Sequence, residues 1–151
     1  MTKTYPRPLP RFYSSGSRDF YDGCKQGQLL IQRCRTCGKW RFPPQFMCSS
    51  CHSTDSEWAP VSGRGVVSTF TVIPGFEQRA VPMSRWPADG YPISVIVVEL
   101  ADAGGAHLVS NIVECAPSDI RVGMEVEVVF EEVTEEITLP RFRPLVAEIP
   151  G

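Results

Sequence analysis

Two features of the sequence predict a mainly β protein. Two Cys-x-x-Cys pairs stand ten residues apart within the first 51 residues, which is typical of a small zinc-binding ribbon. Beyond residue 62, short runs of β-branched residues alternate with turns rich in Gly, Pro and Asp. The 151 residues suffice for one small domain and a metal-held module. We therefore expect an N-terminal arm and short helix over 1–27, a zinc ribbon over 28–61 and a barrel domain over 62–151.

The first 27 residues predict an extended arm and then one short helix. Residues 1–13 carry three prolines and three aromatic residues. This composition disfavours helix and sheet and suits an arm that folds back on the domain or docks on another chain. Ser17 can cap a helix that stops at Gly27. Phe20 and Cys24 are four residues apart and share one helical face, where we expect Cys24 to be a small buried residue.

The two cysteine pairs predict a structural zinc site. Each pair closes a tight turn that points two thiolates at one spot, and two turns complete the tetrahedral S4 shell of zinc, with Zn–S near ~2.3 Å. With all four positions filled by protein, the ion would build the fold and would leave no open position for substrate or activated water. Two disulfides or a redox pair are the alternatives, and His52 could replace one thiolate. The predicted ligands are Cys34, Cys37, Cys48 and Cys51.

The residues around the cysteines predict a small ribbon that depends on its metal. Residues 28–33 predict a strand that leads into the first pair, and 39–44 predict an irregular hairpin whose aromatic residues pack round the metal site, together with Trp58. A module of this size lacks the apolar area to fold unaided, while zinc binding to comparable peptides contributes about 10–16 kcal/mol at neutral pH. Metal binding and folding of the ribbon should therefore be coupled.

Five short strands and one helical turn predict the barrel. A helical turn at 117–119 separates the third strand from the fourth, and 74–90, with three prolines and no clear period, predicts a long loop. An immunoglobulin-like sandwich would need about seven strands, whereas five match the partly open barrel called the OB-fold. We place the strands at 65–73, 93–100, 107–113, 124–131 and 143–149.

Charge is unevenly distributed along the chain. Residues 1–64 hold ten Lys/Arg against four Asp/Glu, a balance of +6, whereas 91–139 hold ten Asp/Glu against one Arg, a balance of −9. These stretches are either solvated faces, or the basic one meets an anionic ligand or partner. The longest apolar run, 93–98, is far shorter than the ~20 residues of a membrane helix, and the first residues have no apolar core of a secretory signal. With thiols arranged for metal, we expect a cytoplasmic protein.

A series of short motifs follows the amphipathic helix: LLIQRCRTCG at 29–38, FPP at 42–44, CSSC at 48–51, GRGVVSTFT at 63–71, VGMEV at 122–126 and LPRFRP at 139–144. The order of these motifs resembles the DUF35 family. The resemblance covers about 12–144, and the combination is specific although each motif alone is common. It implies a rubredoxin-like zinc ribbon followed by an OB-fold.

The resemblance also implies a function. DUF35 proteins are non-catalytic partner subunits of thiolase-superfamily enzymes: thiolases, hydroxymethylglutaryl-CoA synthases, and aldolases that shorten steroid side chains. A member of the family is expected to stabilise the catalytic subunit as part of a hetero-oligomer and to help enclose its coenzyme A. Family membership selects neither the partner nor its acyl substrate.

Two segments are candidates for contact with a partner or with CoA. Arg141 and Arg143 flank Phe142 in a proline-bounded stretch, which predicts an exposed ridge of two cations and an aromatic ring. Phosphates favour Arg, so the ridge could meet CoA or a partner, or it could be solvated surface. The loop at 74–90 and Tyr91 offer large apolar anchors suited to an interface or to simple barrel cover.

Two other classes of function are less well supported. OB-folds also bind single-stranded nucleic acid, but the strands that would line the groove lie in the stretch with a balance of −9. A stand-alone enzyme would need a nucleophile with a base, and neither a Gly-x-Ser-x-Gly motif nor a phosphate-binding loop accompanies the two histidines. His107 is expected to be a structural strand residue and Cys115 to be inert.

Overall fold

The helix α1 spans Ser15–Lys25 and begins two residues before Ser17, the predicted cap. The computed structural model describes residues 9–11, 15–73 and 92–146. Phe20 and Cys24 are both buried, so the predicted helical face is confirmed. Gly27 follows the helix in the left-handed region, at φ 73°, where a residue without a Cβ is favoured. Among the described residues, no helix has the length and apolar character to cross a membrane.

Three short antiparallel strands form the ribbon sheet. They lie in the order β2-β1-β3, and the predicted first strand is confirmed to within one residue. The pairing of Gln32 with Arg41 and of Cys34 with Ser56 brings the cysteine turns to one end of this sheet. The strands are β1 (Leu29–Cys34), β2 (Trp40–Arg41) and β3 (Ser56–Val61).

Five antiparallel strands form the second sheet, in the order β6-β5-β4-β7-β8. The two ends of this order meet at an isolated bridge between Ile112 and Phe142, and the Val113 amide donates to the Phe142 carbonyl at 2.8 Å. The sheet therefore forms a nearly closed barrel, and the mainly β fold class is confirmed. A 3₁₀ turn, Pro117–Asp119, separates β6 from β7 as predicted. The strands are β4 (Arg64–Ile73), β5 (Ile93–Leu100), β6 (His107–Asn111), β7 (Glu125–Glu132) and β8 (Thr138–Pro144).

The fifth barrel strand begins earlier than predicted. The sequence predicts 143–149, whereas β8 spans Thr138–Pro144. Pairing with β7 sets its position, because Glu132 lies opposite Thr138 and Val126 lies opposite Pro144. Pro140 and Pro144 lie within β8, which is an end strand of the sheet, where a missing amide donor is tolerated.

One hydrophobic core joins the helix, the ribbon and the barrel. It contains Phe20 and Cys24 of α1, Leu29 and Ile31 of β1, and residues of all five barrel strands. Trp58 packs against this shared core, and not into a separate ribbon core as the sequence suggested. The ribbon is therefore stabilised by packing on the barrel as well as by its metal.

Candidate functional site

The four predicted zinc ligands come together at one end of the ribbon sheet. All four sulfur atoms lie within 4.8 Å of one another. Among the described residues, these four cysteines form a group of side chains that could hold a metal ion. Cys34 and Cys51 are 3.6 Å apart at their sulfurs, as are Cys37 and Cys48. A tetrahedron with Zn–S near ~2.3 Å has edges of about 3.8 Å, so the cluster has the size of a tetrathiolate zinc site.

The two cysteine turns have the same backbone geometry. The Gly38 amide donates to the Cys34 carbonyl and the His52 amide donates to the Cys48 carbonyl, both at 2.9 Å. Gly38 and His52 both have positive φ, at 76° and 60°. Glycine adopts this conformation freely, whereas a histidine there is strained. His52 therefore ends the second turn through its backbone, and it is not part of the sulfur cluster.

Backbone amides favour the thiolate form of the two buried sulfurs. The amides of Cys37 and Thr36 donate to Cys34, and they lower the pKa of its thiol to about 6. The amides of Cys51 and Ser50 likewise lower the pKa of Cys48. Hydrogen bonds to the charged form of a thiol favour that form.

The surroundings of Cys51 oppose ionisation of its thiol. The Ser53 amide donates to Cys51, yet desolvation and the three neighbouring cysteines raise the pKa of Cys51 to about 11. A divalent ion that binds all four sulfurs removes this conflict, because metal binding requires the deprotonated form. The donor set and its charge thus fit Zn²⁺, whose closed S4 shell is structural.

Polar contacts join the two cysteine turns to each other. Lys39 Nζ donates to the hydroxyls of Ser49 and Ser50, at 3.3 and 2.9 Å. Thr36 Oγ1 donates to Ser53 Oγ at 2.8 Å. These bonds link the first turn to the second across the sulfur cluster and help to fix the metal ligands in place.

The predicted exposed ridge at 141–143 is wrong in its geometry. Phe142 is 0% exposed and is the largest of the fully buried side chains, because its ring points into the barrel. Arg141 is buried and its Nε donates to Glu131 at 2.9 Å, while a second nitrogen donates to Asn111. Alternation along β8 places the Phe142 ring on the core face, but it does not account for the burial of the adjacent Arg141.

Arg143 is the one ridge residue with a substantially accessible side chain, at 43%. Its Nε donates to Glu127 at 2.9 Å, and another nitrogen lies 3.7 Å from Glu114. Any anion that binds Arg143 must therefore compete with two carboxylates.

The remaining reactive residues lie outside the sulfur cluster. Cys24 is 1% exposed, which confirms the predicted small buried residue, and desolvation raises the pKa of its thiol to about 12. Desolvation also raises the pKa of the Cys115 thiol. His107 lies at the barrel surface with Nε2 3.9 Å from Glu99. The predicted anchors of the loop at 74–90 and at Tyr91, and most of the N-terminal arm, lie outside the described residues.

The ribbon also displays an apolar pair that the sequence reasoning missed. Phe46 is 86% exposed and Met47 is 48% exposed. The expectation of aromatic packing round the metal covered residues 39–44, and Phe46 lies just beyond them. A sequence pattern alone does not distinguish an inward ring from an outward one. Their position, between two prolines and a metal ligand, was the available signal.

Comparison with known proteins identifies the family. Residues 22–57 match a family model described as the rubredoxin-like zinc ribbon domain of ChsH2, and 58–131 match its C-terminal OB-fold domain. A DUF35 domain-containing scaffold protein of Methanocaldococcus jannaschii is 33% identical over 113 residues, which cover 72% of this chain and 71% of the relative. The chain belongs to the DUF35 family. A DUF35 scaffold protein of Methanothermobacter thermautotrophicus is 34% identical, with 72% and 75% covered.

Structural similarity extends the DUF35 assignment over most of the chain. A chain of the structure named Ltp2-ChsH2(DUF35) aldolase is 34% identical, with a TM-score of 0.75, and the match covers 93% of this DUF35 protein and 100% of that chain. A DUF35 protein of unknown function from Sulfolobus solfataricus, 14% identical with a TM-score of 0.59, shows the same fold. A probable enoyl-CoA hydratase alpha subunit of Thermomonospora curvata is 35% identical, but the chain spans only 41% of its length.

Proposed function

We propose that this DUF35 protein is a non-catalytic scaffold subunit that binds and stabilises a thiolase-superfamily enzyme acting on acyl-CoA. The observation that carries the proposal is the similarity, over 93% of the chain at 34% identity, to a chain in a structure named Ltp2-ChsH2(DUF35) aldolase. The names of the archaeal relatives, DUF35 domain-containing scaffold proteins, agree with such a role.

The metal site supports a structural role for the ribbon. The four cysteine sulfurs supply all four positions of a tetrahedral shell, so zinc would contribute folding free energy and hold the ribbon in shape. Cys34 and Cys48 would anchor the ion from the buried side, and Cys37 and Cys51 from the exposed side. The ribbon would then present its surface as a rigid element to the partner.

Charge supports a protein partner over a nucleic acid. In the barrel, Arg141 pairs with Glu131, and Arg143 pairs with Glu127 and Glu114. These two cations are thus already compensated, whereas a nucleic-acid groove requires cations that can neutralise phosphates. Of the three residues of the predicted ridge, only Arg143 is accessible enough to contact CoA, because Phe142 and Arg141 are buried.

Co-purification and activity test the proposal. Tagged at its native level in its own cells, the chain should bring down a thiolase-fold subunit in a defined hetero-oligomer. Removing the chain should lower the carbon–carbon bond-forming or bond-cleaving activity of that enzyme on acyl-CoA and lower its melting temperature. The proposal fails if no thiolase-fold subunit co-purifies and the acyl-CoA activity is unchanged.

A further inference from the structure

Phe46 and Met47, here called the knob, protrude from the ribbon between the two cysteine turns. Phe46 is 86% exposed, the most of any described large apolar residue, and Met47 beside it is 48% exposed. A single exposed apolar residue is normal on a protein surface and by itself identifies nothing. The knob differs because of how its backbone is held and because of the charge beneath it.

Hydrogen bonds and the metal ligands hold the segment that carries the knob. The Gln45 amide donates to Gln32 Oε1 at 2.8 Å, and Arg41 Nη2 donates to the Gln45 carbonyl at 3.3 Å. Gln32 is itself buried, and its Nε2 donates to Ser56 Oγ at 3.2 Å. Cys48, a ligand of the sulfur cluster, follows Met47 directly. The knob is therefore fixed at both ends, and binding it would cost little conformational entropy.

Arg41 lies beneath this segment, and within the described part of the chain it forms no ion pair with a carboxylate. Its side chain is 8% exposed, its Nε donates to the neutral oxygen of Gln32, and Nη1 has no hydrogen-bond partner among the described residues. A buried guanidinium with an unsatisfied nitrogen is rare, because buried charges are normally paired.

The other described ribbon cations have partners of their own. Arg35 faces two carboxylates of the ribbon. Arg33 lies over the Trp40 ring, with Cζ 5.3 Å from its centroid, and Lys39 Nζ donates to the hydroxyls of Ser49 and Ser50. Arg41 is thus the one of these four cations that is buried with an unpartnered nitrogen, and a carboxylate of a partner seated over it would compensate its charge.

We infer that the knob inserts into an apolar pocket of the thiolase-superfamily subunit, beside a carboxylate of that subunit that compensates Arg41. The inference rests on the proposed function and names the surface that performs it. An aromatic anchor with a neighbouring arginine is the composition of an interface hot spot. Phe46→Ala should then weaken the complex by roughly 30- to 1,000-fold, the usual range for such an anchor.

Site-specific photocrosslinking locates the contact. A benzoylphenylalanine is introduced at position 46 of the full chain in its own cells, and at Val122, an exposed barrel residue, as the matched control. The inference expects irradiation to join position 46 to the co-purifying thiolase-fold subunit, as identified by peptide mass spectrometry, and to give no such product at position 122. A product joining two copies of this chain, or joining the thiolase-fold subunit at position 122 only, would overturn it.

Affinity measurements separate the parts of the inference. Phe46→Ala shortens an exposed side chain, so this variant should still hold one zinc per chain. Val122→Ala is the control, and it should bind the thiolase-fold subunit with wild-type affinity. Arg41→Met should weaken binding about tenfold, since a charge contact is worth roughly that much. Should this variant unfold, loss of wild-type affinity with rising salt reports the same charge contact.

The outcomes distinguish the inference from the proposed function. If the wild-type chain binds a thiolase-fold subunit and Phe46→Ala binds it equally well, the knob is not the contact and the scaffold role stands. If Phe46→Ala weakens binding but neither Arg41→Met nor salt does, the carboxylate is absent. If the wild-type chain binds no thiolase-fold subunit at all, both the scaffold role and the inference fail.

Discussion

Phe142 should hold the barrel closed, so replacing it with alanine should lower the free energy of unfolding substantially. Its ring is fully buried, its neighbour across the sheet is Val128, and its backbone joins β8 to the segment after β6 through Ile112 and Val113. Phe142→Ala would leave a cavity at the point where the two ends of the sheet meet. Replacing a buried phenylalanine with alanine typically costs about 3–5 kcal/mol of the free energy of unfolding.

Denaturation of the zinc-loaded protein measures this cost. The melting temperature should fall by roughly 6–20 °C, because 1 kcal/mol shifts a domain of this size by about 2–4 °C. Val109→Ala, which shortens an exposed side chain on β6, is the control and should change the free energy by less than about 0.5 kcal/mol. A loss below about 1 kcal/mol for Phe142→Ala would refute the reasoning, since that is the behaviour of an exposed residue.

Three further predictions concern the cysteines and His52. In the zinc-loaded chain at most one thiol, that of the half-buried Cys115, should react with Ellman's reagent, and slowly because its pKa is raised. All six thiols should react after chelation and denaturation, and several reactive thiols beforehand would contradict a closed metal site. His52→Gly should raise the free energy of unfolding by about 0.5–1 kcal/mol, because glycine removes the strain at positive φ, and Gly38→Ala should lower it. A lower free energy of unfolding for His52→Gly would contradict this reasoning. Burial raises the pKa of the Cys24 thiol to about 12, because the folded chain favours the protonated thiol. The resulting contribution to stability is complete below the pKa of the unfolded thiol, and it should be lost as pH rises from about 8.5 toward 12. Cys24→Ala should therefore flatten the fall in denaturation midpoint above about pH 8.5, and an unchanged slope would rule out this linkage.

The sequence predicts the metal site and the element types because both depend on local signals. Two Cys-x-x-Cys turns have few ways to fold, and the sulfur cluster follows from their spacing. The strand β5, an almost continuous apolar run, lies where it was expected. Such features are set by residues close together in the chain.

The errors occur where residues far apart in sequence decide the outcome. The position of β8 depends on its register with β7, which Pro140 and Pro144 obscured. Phe142 is buried because β8 completes the barrel, so a motif that looked exposed is core. The uncompensated charge of Arg41 and the exposure of Phe46 emerge only when the ribbon is assembled in three dimensions.

Zinc X-ray absorption of the purified chain tests the central claim most directly, namely that protein thiolates close the shell of the ion. One zinc per chain with four sulfur neighbours at about 2.3 Å is the expected result. An oxygen or nitrogen neighbour in that shell, together with acyl-CoA turnover by the isolated chain that is lost on chelation, would contradict it.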